Sequence, residues 1–126
     1  MRIKGHGIDI IDLERVAKLV ARGDDFIAGW FTVAEIEYLE GRKFRIEVVG
    51  GRIAAKEAVA KALGTGFSGD VSWQDIEVQT LPSGAPTILL SGGALNVAKS
   101  LGITEVLVSI SHTASTAMAS AIAVGE

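Results

Sequence analysis

The chain has 126 residues, the size of one compact domain, and 48% hydrophobic against 21% charged residues rules out a disordered chain. It has no cysteine, which excludes disulfide scaffolds, thiolate metal sites and cysteine nucleophiles together. A net charge of −3 argues against a nucleic-acid polymer as partner, and no apolar run approaches the roughly 20 residues of a membrane span.

The first segment, MRIKGHGIDI, lacks the apolar core of a signal peptide, so a cytoplasmic location is expected. It reads as a strand, with Ile8 and Ile10 on one face and Asp9 on the other; Gly5 and Gly7 loosen it around His6. Asp12 stands where a helix cap would stand. Leu13, Val16, Ala17 and Val20 follow at helical spacing, with Gly23 as the stop. Arg15, Lys18 and Arg22 line the opposite face of that helix. The run Thr32–Glu35 has the form of a capping box and predicts a second short helix.

The third helix is expected from Val49 to Leu63. Its segment RIAAKEAVAKAL carries five alanines, and the helix ends at Gly64, ahead of a loop marked by Gly66 and Gly69. Asp75–Thr80 and Thr87–Leu90 read as strands about a turn, Pro82 to Pro86. Ala94–Leu101 is a short helix. Finally, Val106, Val108 and Ile110 alternate with Leu107, Ser109 and Ser111. After a turn at His112–Ser115, Met118, Ser120, Ile122 and Val124 alternate with four alanines. That is an antiparallel hairpin with a thin, alanine-lined face that something must cover closely. The fold class is α+β: a small antiparallel sheet packed against a long helix and shorter helices, in a single domain, 1–126.

Two carboxylates stand in apolar surroundings. Glu57 lies in the alanine-rich helix, where a buried carboxylate needs a partner or a metal; Lys61, four residues on, offers an intrahelical ion pair instead. Asp9 interrupts an apolar strand, either as a solvent-facing residue or as a functional one. Two such carboxylates on rigid elements can hold Mg²⁺, with water and a substrate pyrophosphate completing the shell. Arg52, Lys56 and Lys61 would supply positive charge for the phosphates, or Arg52 and Lys56 form a solvated helix edge. His112, among hydroxyls at a strand end, is a turn residue or a phosphate ligand. The basic stripe is a solvated face or a dock for an acidic partner.

GHGIDIIDLERV, GRIAAKEAVAKALGTG, VSWQDIEV, the PSGAP turn and VSISHT occur in an order that resembles the holo-acyl-carrier-protein synthases, the short 4′-phosphopantetheinyl transferases, over nearly the whole chain. The resemblance implies transfer of 4′-phosphopantetheine from coenzyme A to a serine of an acyl carrier protein in fatty acid biosynthesis. It implies Mg²⁺ held by Asp9 and Glu57, with Lys61 at the phosphates. Arg52, His112 and Thr113 would bind the adenosine-phosphate end, beside the Gly64–Gly66 loop and the Gly84–Pro86 turn. Arg15, Lys18 and Arg22 would dock the acidic helix of the carrier. It also implies a homotrimer with active sites between subunits, which would account for the alanine face and the scattered basic residues. One departure is Ala85, where the family commonly has lysine. The alternative is a coenzyme A or nucleotide-binding trimeric module without catalysis.

Overall fold

The computed structural model describes residues 1–126. In chain order the elements are β1 (Arg2–Asp12), α1 (Leu13–Val20), α2 (Asp24–Trp30), α3 (Val33–Gly41), α4 (Ile46–Ala62), β2 (Ile76–Thr80), β3 (Pro86–Leu90), α5 (Gly92–Ser100), β4 (Ile103–His112) and β5 (Thr116–Gly125). The α+β expectation holds, with the strands divided into two antiparallel sheets. One has the order β1-β5-β4 and the other pairs β2 with β3.

The long helix begins earlier than expected, at Ile46 rather than Val49. The segment after Gly23, left unassigned by sequence, forms α2: Asp24 and Asp25 occupy its first turn, where they favour the helix dipole, and Phe26 and Ile27 are buried. The capping box at Thr32 is present in both directions. The Thr32 hydroxyl accepts from the Glu35 amide (3.2 Å), and the Glu35 carboxylate accepts from the Thr32 amide (3.0 Å). Asp12 does occupy the position before α1, but its side chain makes no capping hydrogen bond. Its role there is geometric only: the chain passes from strand to helix with no linker.

The alanine face is covered from within the chain. Ala117, Ala119, Ala121 and Ala123 alternate inward on β5 and are buried against α4, whose Ala54, Ala55 and Ala58 are buried in turn. A neighbouring subunit is therefore not what this face awaits. β1 comes equally close. A Cβ on Gly5 or Gly7 would overlap the carbonyl oxygens of Ala62 and Ala58, so the two glycines do not loosen the strand; they let the helix backbone lie directly on it.

Two residues expected at a solvated or phosphate-facing helix edge are interior instead. Lys56 is completely buried. Its ammonium pairs with Glu35 (2.7 Å) and donates to the carbonyls of Ile76 (2.6 Å) and Trp73 (2.8 Å). It ties α4 to α3 and to the start of β2. Arg52 is buried over the Tyr38 ring, 4.3 Å from its centroid, and donates to the Thr80 hydroxyl. Burial lowers its pKa, opposed by Tyr38 and Glu35.

Candidate active site

Period-two alternation along β1 puts Gly5, Gly7, Asp9 and Ile11 on the side facing α4, and Ile8 and Ile10 on the other. The exposures invert the usual order. Ile8 and Ile10 are 51% and 66% exposed, whereas the Asp9 side chain is only 17% exposed. Asp9 is the inward residue of an outward-greasy strand. Because Gly5 and Gly7 bring α4 onto β1, Asp9 arrives beside the helix turn that carries Glu57 and Lys61.

The expected Glu57–Lys61 ion pair does not form. Lys61 reaches across to β1, where its ammonium donates to the Ile8 carbonyl (2.9 Å) and the Asp9 carboxylate (3.2 Å). Glu57 has no cation within ion-pairing distance. Its pKa is raised, first by burial and then by the Asp9 charge, against smaller opposing effects of Lys61 and Arg15. Two carboxylates that line one recess and feel each other's charge with incomplete compensation favour a cation beside them.

Asp9 and Glu57 line a small recess of about 70 Å³ with Ile10, Ile11, Arg15, Trp30 and Ile53. On its other side Asp9 faces an open cleft of about 510 Å³, shared with Lys61, Ile8, Ile10 and Met118. Trp30 is half-buried as a wall of the site. It is held by stacking on Trp73 (centroids 3.9 Å), which stacks in turn on Phe67 (3.8 Å). Gln74 fastens the end of α2 by donating to the carbonyls of Ala28 (2.9 Å) and Gly29 (2.7 Å).

The chain matches the model of the 4′-phosphopantetheinyl transferase superfamily over residues 5–118. It belongs to that superfamily. Among curated relatives, a holo-acyl-carrier-protein synthase of Desulforudis audaxviator is 44% identical over 98% of this chain and 94% of the relative. The crystal structure of the synthase from Neisseria meningitidis superposes with a TM-score of 0.88 at 32% identity, covering 98% of this chain and 99% of that one. The synthase of Helicobacter pylori in complex with coenzyme A gives a TM-score of 0.84 at 32% identity, covering 94% and 99%. The fold is therefore that of these synthases, and the chain is a phosphopantetheinyl transferase.

The remaining residues singled out by sequence do not gather at this recess within one chain. Arg52 lies five residues before Glu57, about 140° around the helix, and is committed to Tyr38 and Thr80. His112 and Thr113 line a separate pocket with Leu13, Glu47 and Ala114. Thr113 is busy with its own turn: its hydroxyl bonds Thr116 (2.9 Å) and accepts from the Ser115 and Thr116 amides. His112 is exposed, with only a long contact to the Thr113 carbonyl (3.4 Å). Gly64 and Gly66, both at positive φ, close α4 just past Lys61, and Gly84, also at positive φ, and Pro86 sit at the exposed β2–β3 turn. Of the basic stripe, Arg15 alone reaches the recess. Sequence reading missed that, although the direct strand-to-helix passage at Asp12 puts the first turn of α1 beside the end of β1.

Proposed function

We propose that this chain transfers 4′-phosphopantetheine from coenzyme A to a serine hydroxyl of an apo acyl carrier protein, supplying fatty acid biosynthesis and releasing adenosine 3′,5′-bisphosphate. The observation that carries this reading is the inward pair Asp9 and Glu57, flanked by Lys61 and Arg15, in a chain of this superfamily.

Asp9 and Glu57 offer hard oxygen donors on two rigid elements, and a divalent cation would relieve their mutual repulsion; both features fit Mg²⁺. When bound, that ion neutralises pyrophosphate charge and polarises the attacked phosphorus. Lys61, already at the mouth of the site, offsets charge on the pyrophosphate and on the departing bisphosphate. The serine oxygen attacks the β-phosphorus, the bond to the bridging oxygen breaks, and adenosine 3′,5′-bisphosphate leaves with that electron pair. Asp9 and Glu57 are the only acceptor side chains lining the recess, so they direct the removal of the serine proton. Positioning and electrostatics supply most of the rate.

The nucleotide end lies along Gly64, Gly66, Gly84 and Pro86, with His112 and Thr113 contributed by a neighbouring subunit. Arg52 shapes the base of the β2–β3 hairpin through Thr80 instead of touching the ligand. The exposed face formed by Ile8, Ile10, Leu107 and Met118 is the surface by which three copies assemble, and the Asp9 cleft opens onto it. The outer face of α1, with Lys18, and Arg22 in the turn just after it, receive the acidic carrier. The test is the mass of an apo carrier protein incubated with coenzyme A, Mg²⁺ and this protein. A gain of one phosphopantetheine, absent with Glu57→Gln, is expected. No gain with any divalent metal, or full transfer by Glu57→Gln, would overturn the reading.

A further inference from the structure

Four of the seven side chains around the Asp9–Glu57 recess are apolar: Ile10, Ile11, Trp30 and Ile53. They offer a cation no oxygen, so beyond the two carboxylates its shell must come from water or substrate. The recess measures about 70 Å³, room for roughly two waters. Trp30 is the wall with the most elaborate support. It ends α2, a helix of seven residues, too short to fix a ring by itself. Its indole lies flat on Trp73, with centroids 3.9 Å and planes 16° apart, and Trp73 lies flat on Phe67 at 3.8 Å and 13°. Phe26, one turn back on α2, packs on Trp30 at 4.8 Å. Gln74 holds the backbone of that same last turn, at the Ala28 and Gly29 carbonyls. Two adjacent residues, Trp73 and Gln74, therefore fix both the ring and the helix end that carries it. Burial alone does not call for this, since Trp30, Trp73 and Phe67 are all only half-buried. A wall held still beside two carboxylates sets the size and the rigidity of the space a cation enters.

We propose that Trp30, pinned by Trp73 and Gln74, sets the cation preference of the site by keeping the recess too small and too rigid for the shell of Ca²⁺. Mg²⁺ demands a near-octahedral shell at about 2.1 Å, whereas Ca²⁺ takes roughly six to eight oxygens at about 2.3–2.6 Å in flexible arrangements. Two carboxylates and roughly two waters against a fixed apolar wall leave no place on that side for the additional oxygens of Ca²⁺. The proposal rests on the assignment of Mg²⁺ to Asp9 and Glu57 above. It gives Trp30 a part in selectivity that neither carboxylate can play, because both ions accept carboxylate oxygen equally well in kind.

The test needs neither coenzyme A nor carrier. Mg²⁺ and Ca²⁺ are titrated calorimetrically into the wild type, Trp30→Phe, Trp30→Leu, Trp30→Ala and Trp73→Ala, with melting curves to show which are folded. Trp30 and Trp73 are the only tryptophans of the chain, so near-ultraviolet circular dichroism reports their stack directly. In Trp30→Ala the ratio of Mg²⁺ to Ca²⁺ affinity should fall about tenfold, chiefly through tighter Ca²⁺ binding. Trp30→Phe should keep most of the preference, because a phenyl ring can still stack on Trp73. Trp73→Ala leaves the indole present but unpinned; it should lose the near-ultraviolet signal and part of the preference. Trp30→Leu, which is apolar but offers no face to Trp73, should behave as the alanine variant does and replaces it if that variant does not fold. An unchanged ratio in the alanine and leucine variants would overturn the proposal. Equal loss of both affinities would overturn it too, since a merely structural wall gives that result. Failure of the wild type to bind either cation would instead overturn the Mg²⁺ assignment, and the proposal with it.

Discussion

Glu57 carries the clearest pH signature of any single residue. Its folded pKa is raised by burial and by Asp9, so the metal-free folded chain holds its proton to higher pH than the unfolded chain does. Stability therefore falls as pH rises from the ordinary glutamate range through the raised value. Metal-free Glu57→Gln should lack that component, so the wild type should lose stability relative to the variant across this window in denaturant unfolding. Saturating Mg²⁺ should reverse the difference, because the ion binds the deprotonated Glu57 carboxylate and stabilises the wild type more than the variant. Parallel curves for the two proteins would show that the carboxylate is not under strain. Lys56 makes the opposite case, a charge held for structure. Lys56→Met leaves Glu35 buried without its cation and the Trp73 and Ile76 carbonyls without a donor, at a cost of about 3–5 kcal/mol in urea unfolding. The folded fraction should keep its Mg²⁺ affinity, because Lys56 does not line the recess.

At the scale of elements, the site is a product of one contact, α4 lying on β1. Gly7→Ala would drive a methyl group into the Ala58 carbonyl. The helix must shift, which overpacking data place at about 1–3 kcal/mol or somewhat more, and the shift parts Asp9 from Glu57. Unfolding by urea should show the stability loss, and isothermal titration should show a weaker Mg²⁺ site. A variant with intact metal affinity would mean that the strand and helix can separate without disturbing the pair. The same contact explains why the alanines of β5 and α4 are small: two backbones approach closely only where neither surface carries bulk. The Trp30–Trp73–Phe67 stack does the complementary task on the far wall, tying α2 to the segment that follows α4.

For the whole molecule, the proposed assembly makes a prediction that no single chain can satisfy. If Asp9 comes from one subunit and His112 from the next, Asp9→Asn and His112→Ala trimers are each inactive. Unfolded together and refolded at equal amounts, they should regain about a quarter of the wild-type activity, since each site draws its two halves independently. No recovery would place both residues in one subunit's site. Ile10→Asp, on the exposed sheet face, should shift the chain to monomer in sedimentation and abolish transfer while leaving the fold intact.

The sequence alone determined the elements whose cause is local. The Thr32 capping box, the β2–β3 turn, the alternation along β4 and β5 and the alanine-rich helix all follow from spacing and neighbour chemistry, and all are present. Together with the motifs around Asp9 and Glu57 they were enough to point to a family. The tertiary structure decided what depends on partners distant in the chain. Lys61 chose Asp9, 52 residues away, over Glu57, four residues away. Lys56 and Arg52 turned inward because Glu35, Tyr38 and Thr80 were there to satisfy them. Asp9 faced the helix while its isoleucine neighbours faced out, because β1 meets α4 with glycines. A helical or alternating pattern states which residues share a face, but burial and charge pairing assign that face to the core, to solvent or to a ligand.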